Sequence, residues 1–407
     1  MSKKYDVVVW GATGFTGRWV AKHLADHYPQ GDLTWAISGR NLNKLNETIA
    51  FLEIAKNSEP SQIIADSKDE SSLRELVLST KVVISTVGPY AHYGSLLVRL
   101  CAELGTDYVD LAGEVPWMRE MIDSYSEDAK KSGARIVHSC GFDSIPSDMG
   151  VFYAQKMARQ HIGEPLQSLT YNLLKTKGGA SGGTIASMMN IIELAVKDKK
   201  IRRLLANPYS LNPNFDFKGP DGADQARVVY SNDLKKWTTP FVMAGVNTRI
   251  VRRTNALLNF EYGENFKYTE TMVVGAGSKN YIIAKSISAA IKTMVFTSIT
   301  GPGRKLLGFF LPAQGEGPVV DPQDPGFYNI QFVGKTASGE TFSTHLHGDG
   351  DPGYGSTSKI LAESAVCLAK DNLSCGGGFW TPVSAMGEAL MIRLQEKGGL
   401  TFSVLDS

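Results

Sequence analysis

The chain has 407 residues, 43% hydrophobic and 20% charged, with Lys+Arg 42 against Asp+Glu 41. That composition supplies packed cores rather than disorder, and at about 150 residues per domain it implies two to three domains. A net charge of +1 argues against a dedicated nucleic-acid binder, which needs a basic surplus to neutralise phosphates. Four cysteines, Cys101, Cys140, Cys367 and Cys375, with no CxxC pair, exclude a disulfide framework and a zinc ribbon. No usable apolar stretch follows the basic start, so no signal peptide and a cytoplasmic location are expected.

The first 150 residues alternate strand and helix patterns. Strands are expected at Asp6 to Trp10, Leu33 to Ser38, Ile63 to Ala65, Lys81 to Val87, Asp107 to Leu111 and Ala134 to His138. Helical spacing falls between them, at Phe15 to Tyr28, after an N-capping Asn41, around Leu73 to Leu78, at Ser95 to Leu104 and at Val115 to Lys131. Gly105 and Gly133 are placed to end the last two. Strands joined by helical crossovers imply a doubly wound parallel sheet of α/β class. Beyond residue 160 the pattern changes. Leu169 to Lys175, Tyr268 to Val274, and a hairpin of Tyr328 to Lys335 with Thr341 to His347 read as strands, Thr184 to Val196 as an apolar helix. This predicts a second, α+β domain with an antiparallel sheet. Helices at Ser356 to Ala369 and Ser384 to Glu396 and a strand at Thr401 to Val404 close the chain. Tyr281 to Ile299 is apolar but interrupted by Lys285 and Lys292. It is too broken to span a membrane, and reads either as a domain helix or as one resting on a membrane surface.

Gly11-Ala-Thr13-Gly14-Phe15-Thr16-Gly17 sits between the first strand and the first helix. Such a glycine turn permits close approach of a pyrophosphate to a helix N-terminus. The second strand ends without the acid that binds a ribose 2′-hydroxyl. Ser38, Arg40 and Lys44 stand there instead, a hydroxyl and two cations suited to the 2′-phosphate of NADP(H). Arg40 could equally be a solvated helix-start residue. Asp66 is placed either to meet an adenine amino group or to cap a helix.

Val87-Gly88-Pro89-Tyr90 ends the fourth strand, Ala112-Gly113-Glu114 follows the fifth and Ser139 to Asp148 follows the sixth. Ligands of open α/β sheets bind at these carboxyl ends. Val87, Gly88, Pro89 and Cys140 are therefore expected beside the cofactor. Cys140 has no histidine at a recognisable spacing, so covalent catalysis is unsupported. Tyr93 and Asp143 are the candidate proton donors. Ser147 and Asp148 read equally as caps of a helix over Met149 to Arg159. His345, His347, Asp349 and Asp351 suit a solvated strand end better than a metal site, and no metal is expected.

These segments, with Tyr108-Val-Asp-Leu-Ala-Gly-Glu114, Gly141-Phe-Asp-Ser-Ile-Pro146 and Gly377-Gly-Phe-Trp-Thr-Pro382, resemble the saccharopine dehydrogenase-like oxidoreductases. The similarity is to the branch of trans-acting enoyl reductases and lipid-droplet-associated relatives. It implies a Rossmann domain at 1–160, an inserted α+β substrate and dimerisation domain at 161–355, and a segment at 356–407 returning to the first. It also implies NADP(H), a lipid-like enoyl or keto substrate, a homodimer and peripheral membrane contact. Two alternatives stay open: a saccharopine-type amino-acid dehydrogenase, and a non-catalytic NADP-binding protein of lipid surfaces.

Overall fold

The computed structural model describes residues 3–28, 31–178, 182–308 and 325–405. The first half winds β1 (Tyr5–Trp10), α1 (Phe15–His27), β2 (Trp35–Gly39), α2 (Leu42–Leu52), β3 (Ser61–Ile64), α3 (Glu70–Ser79), β4 (Thr80–Ser85), α4 (Tyr90–Tyr93), α5 (Ser95–Leu104), β5 (Asp107–Asp110), α6 (Val115–Ser132), β6 (Arg135–Val137) and α7 (Ile145–His161). Its strands pair in parallel in the order β3-β2-β1-β4-β5-β6. The order reverses beside β1, which opens a crevice at the carboxyl ends of β1 and β4. β1 is buried along its whole length, as a strand covered on both faces must be. Gly105 and Gly133 take φ +70 and +86 and end α5 and α6 as expected.

The second half continues through β7 (Leu166–Lys177), α8 (Gly182–Lys197), α9 (Lys199–Ala206), β8 (Val229–Ser231), β9 (Lys236–Pro240), α10 (Ala244–Leu257), β10 (Lys267–Gly275), α11 (Gly277–Ser298), α12 (Gly301–Gly308), β11 (Phe327–Thr336) and β12 (Thr341–Asp349). It ends with α13 (Gly355–Lys370), β13 (Gly378–Trp380), α14 (Pro382–Glu396) and β14 (Leu400–Val404). A second sheet runs β14-β12-β11-β7-β10-β9-β8. It is mixed, where an antiparallel one was expected: β7 and β10 pair in parallel, the other neighbours antiparallel. The chain between β7 and β10 passes through three helices, long enough for a parallel return.

The closing segment serves both sheets, not the first alone. β13 extends the first sheet beside β6, and β14 pairs with β12 in the second. α13 lies on α1 and on β1, β4 and β5, burying Ile360, Leu361, Ala365 and Val366 at 1% exposure or less. Each large aliphatic side chain so buried contributes about 1.5–3 kcal/mol. Within that interface the enclosed Glu363 receives the Tyr28 hydroxyl at 2.6 Å and meets His23 Nε2 at 2.8 Å. Arg393 of α14 stands 3.6 Å from it.

Candidate functional site

The glycine turn is built by close approach. Gly11 has φ +87, and a Cβ there would stand 2.6 Å from Val87 Cγ2. A Cβ on Gly17 would stand 2.2 Å from the Gly11 carbonyl oxygen, so the third glycine lets α1 start against the turn. Thr86 locks the arrangement, its hydroxyl donating to the carbonyls of Trp10 and Gly11 at 3.1 and 3.2 Å. Gly14 differs. It is exposed, and a Cβ there would meet only the Gly11 oxygen at 3.3 Å. Gly14 is the N-cap of α1 and supplies no side-chain cap, which leaves the helix's positive end for an anion. Phe15 packs its ring on Tyr354 at 4.3 Å, so what Phe15 and Thr16 offer to an anion is the backbone of that first turn.

Thr13 lies against the tip of β2: its methyl is 3.2 Å from where a Cβ on Gly39 would be. Arg40 and Lys44 are exposed beside it, and neither is ion-paired among the described residues. Asn41 caps α2, accepting from the Lys44 N–H at 3.2 Å. Ser38 is a correction. It is fully buried, and its hydroxyl donates to the Ile63 carbonyl at 2.8 Å, tying β2 to β3 rather than facing a phosphate. Asp66 accepts from the Lys68 N–H at 2.9 Å and shapes the turn after β3, while the cap of α3 is Asp69. The residues present fit a dinucleotide with a 2′-phosphate, held by the Gly11–Gly17 turn, Arg40 and Lys44.

At the other side of β1 two buried carboxylates organise three loops. Glu114, 1% exposed, accepts from the N–H groups of Tyr90 and Ala91 at 2.8 and 3.0 Å. It thereby caps α4 and fixes the half-buried Val87 and Gly88 and the buried Pro89 just before it. Ser187 of α8 donates to the same carboxylate at 2.8 Å, drawing the second half of the chain over this loop. Asp110 accepts from the Ala112 and Ser139 N–H groups at 2.9 and 3.0 Å and holds His138 Nδ1 at 2.7 Å. Sequence reading missed both roles. A buried carboxylate spent on backbone N–H groups has no spacing signature, although Asp110 and Glu114 stood inside a motif already singled out. The glycine-rich Gly178 to Thr184 segment, which its sequence leads one to expect as the other wall of the site, lies partly outside the described residues.

Three aromatic side chains near Pro89 divide. Tyr90 is a strut: its hydroxyl donates to the Ser85 carbonyl at 2.9 Å and accepts from the Leu111 N–H at 3.1 Å. His92 and Tyr93 face outward, their rings 6.1 Å apart. Cys140 is the second correction. Its side chain is wholly buried in the core, 3.5 Å from the Val137 carbonyl, and burial pushes the thiol well up. It reaches a cofactor through its backbone or not at all.

Asp143 stands on the loop between β6 and α7 with part of its surface open and no hydrogen-bond partner among the described residues. Crowding by the surrounding protein pushes its carboxyl up to about 6. Next to it Ser144 donates to Asn247 Oδ1 at 3.0 Å, and Asn247 Nδ2 donates to Glu270 at 3.0 Å. Tyr268 donates to the other Glu270 oxygen at 2.8 Å. Burial pushes Glu270 up to about 7. This network ties the Asp143 loop to β10.

Ser147 and Asp148 do not cap the helix that follows, because α7 already begins at Ile145. Asp148 instead accepts from the Val383 N–H at 2.9 Å and the Thr254 hydroxyl at 2.6 Å, joining α7, α10 and α14. His347 bonds Asn329 and Asp349, each at 3.0 Å. Among the described residues no group of three or more His, Cys, Asp or Glu side chains could hold a metal. A recess of about 460 Å³ lined by Lys3, Lys81, Asp107 and Arg135 lies at the opposite, amino ends of the strands. Its Lys81 and Arg135 are paired with Asp6 and Asp107, and it plays no part in the site.

A parallel sheet with a glycine turn, and with two cations at the β2 tip that make no ion pair among the described residues, defines a nucleotide-binding protein. The profile of the saccharopine dehydrogenase NADP binding domain matches residues 7–137. A Mycobacterium tuberculosis protein carrying the name trans-acting enoyl reductase is 38% identical over 407 residues, 97% of this chain and 96% of the relative. The trans-acting enoyl reductase of Mycobacterium leprae is 35% identical over 417 residues, 97% of each chain. The apo saccharopine dehydrogenase (L-Glu forming) of Saccharomyces cerevisiae superposes with a TM-score of 0.55 at 13% identity, covering 99% of this chain and 100% of that one; this likeness is one of fold. The chain belongs to the saccharopine dehydrogenase-like oxidoreductases, with the trans-acting enoyl reductases as relatives, and its cofactor is NADP(H). No helix among the described residues is long and apolar enough to cross a membrane.

Proposed function

We propose that the chain uses NADPH to reduce an activated double bond of a lipid-like substrate, an enoyl group before a keto group. When bound, the cofactor supplies the hydride. The chain's part is to bind, orient and protonate. Arg40 and Lys44 take the 2′-phosphate; the loops held by Glu114 and Asp110 wall the reacting end; Asp143 gives a proton to the atom left negative. The hydride and this proton together saturate one double bond, and Asp143 is then reprotonated from water.

The observation that carries the reading is the Asp143 carboxyl, without a hydrogen-bond partner among the described residues and raised to about 6 at the carboxyl edge of the sheet, which keeps a share of it protonated near neutrality. Tyr93, the other candidate, lies on the exposed side of α4 and is the poorer placed of the two. The saccharopine-type reading needs cations for two carboxylates. The arginines of α10 do not supply them: Arg249 pairs with Asp224, Arg252 with Asp221, and Arg253 donates to the carbonyls of Leu211 and Phe379. The homodimer and the peripheral membrane contact stay within this proposal, as does the long apolar chain of the substrate.

Asp143→Asn tests the assignment. Turnover should fall by about a hundredfold, the usual scale for losing a general acid, with NADPH affinity unchanged. Unchanged turnover in Asp143→Asn, with loss in Tyr93→Phe, would move the role to Tyr93. No turnover by the intact chain with any enoyl or keto lipid, despite NADPH binding, would favour the non-catalytic alternative.

A further inference from the structure

α11 is held to its domain by little. Of its 22 residues only Ala284, Ser288 and Ser298 are buried, small side chains that let the helix rest on β9 and β10. At its start Tyr281 packs on Trp237 at 4.7 Å. Large apolar side chains point the other way: Phe296 is 75% exposed, Ile282 64% and, on α12, Leu306 55%. Ile283, Val295 and Ile299 are exposed with them. Single exposed apolar residues need no explanation, but a run of this density on one helical arm marks an interaction surface.

The charges identify what meets it. Between residues 271 and 308 there is no Asp or Glu, while Lys279, Lys285, Lys292, Arg304 and Lys305 fall inside the stretch. Arg304 is 3.5 Å from Glu193 of α8. The four lysines are exposed and make no ion pair among the described residues. Ile282, Lys285, Ala289, Lys292 and Phe296 recur at helical spacing along one outward face, so long cationic side chains flank the apolar ones. Such a face suits an interface with apolar tails below and anionic headgroups beside them. A second copy of the chain fits poorly. A two-fold contact would set this acid-free stretch against itself, lysines opposing lysines.

We propose that the outward face of α11 and α12 docks the protein on an anionic lipid bilayer, with Ile282 and Phe296 entering the headgroup boundary and Lys285 and Lys292 meeting lipid phosphates. The proposal rests on the peripheral membrane contact of the proposed function and gives it a surface, while its test is independent of the substrate, since docking needs no turnover.

The full chain is mixed with vesicles of phosphatidylcholine alone, or of phosphatidylcholine with phosphatidylglycerol, at low and high salt, and floated on a density gradient. Binding is expected on the anionic vesicles at low salt, with little on the neutral ones. Lys285→Glu with Lys292→Glu should weaken it by at least about tenfold, given the usual worth of a basic residue near an anionic surface. Ile282→Ser with Phe296→Ser should weaken it as well. All four positions are exposed, so melting temperature and NADPH affinity should stay unchanged, which separates lost docking from lost folding. Absence of binding to anionic vesicles, or equal binding to both kinds, would overturn the proposal. So would a wild-type dimer in solution that Phe296→Ser converts to monomer, since a second copy would then be the occupant.

Discussion

Arg40 occupies the position where an NAD-binding chain carries an acid, and its charge faces solvent without an ion pair among the described residues. A charge-assisted contact to a 2′-phosphate is worth about 1.5–3 kcal/mol. Arg40→Ala should therefore weaken NADPH binding by roughly tenfold to a hundredfold and leave NADH binding unchanged, as read by calorimetric titration. Gly17→Ala is a different kind of change. Its Cβ would meet the Gly11 oxygen at 2.2 Å, so it should lower the melting temperature and NADPH affinity together. Such glycines and cations were legible because a turn needs them at fixed places. Ser38 and Cys140 misled because sequence gives a residue's position along a strand, not whether its side chain is spent inside the core. Glu114 and Asp110 were passed over for the opposite reason: their partners are backbone N–H groups that any sequence would supply.

Buried acids also set a pH dependence. Burial raises Asp148 from 3.8 to about 7, and Glu270 from 4.5 to about 7. Between those limits the folded chain holds protons that the unfolded chain has released, so stability falls as pH rises through the window. Burial lowers His23 below 6.5, and its protonation opposes the trend on the acid side. Melting temperature should then rise on going from about pH 8 to about pH 6.5, each raised acid contributing at most ~1.4 kcal/mol per pH unit. Asp148→Asn should flatten the slope. A melting temperature that climbs steadily with pH over this range would contradict the assignment.

At the scale of elements, the six expected strands and the helices between them form, with ends shifted by a few residues. Their patterns are local, a short apolar strand followed by a helical stripe, and crossover geometry dictates the rest. The pairing of β7 with β10 was not legible, because partners so far apart in the chain leave no mark on either strand. β8 and β9 were hidden because they are short, three and five residues, and β8 is largely exposed. β13 is three residues long and gains its place only from β6. Its role has a consequence. Deleting residues 374–407 removes a strand from each sheet and leaves Asp148 without the Val383 N–H. The truncated chain should show a lower melting temperature and weaker NADPH binding together. Unchanged values for both would show that the closing segment is an appendage.

For the molecule as a whole, the two halves meet at the carboxyl ends of the first sheet, and Ser187 and Asn247 are among the groups that reach across to its loops. Glu114 joins Ser187 to the loop proposed to wall the reacting end, so Glu114→Ala should lower turnover more than it lowers NADPH affinity, as steady-state kinetics and titration together would show. NADPH-dependent reduction of a lipid-like double bond is tested most directly by following NADPH oxidation with enoyl thioesters of increasing chain length, and separately with α-aminoadipate semialdehyde plus glutamate. An apolar site gains about 0.8 kcal/mol for each methylene it buries, so kcat/KM should climb roughly fourfold per added methylene until the site is filled, with no turnover of the amino-acid pair. Turnover of that pair alone, with the enoyl series inert, would contradict the lipid reading and make the chain a dehydrogenase of the saccharopine type.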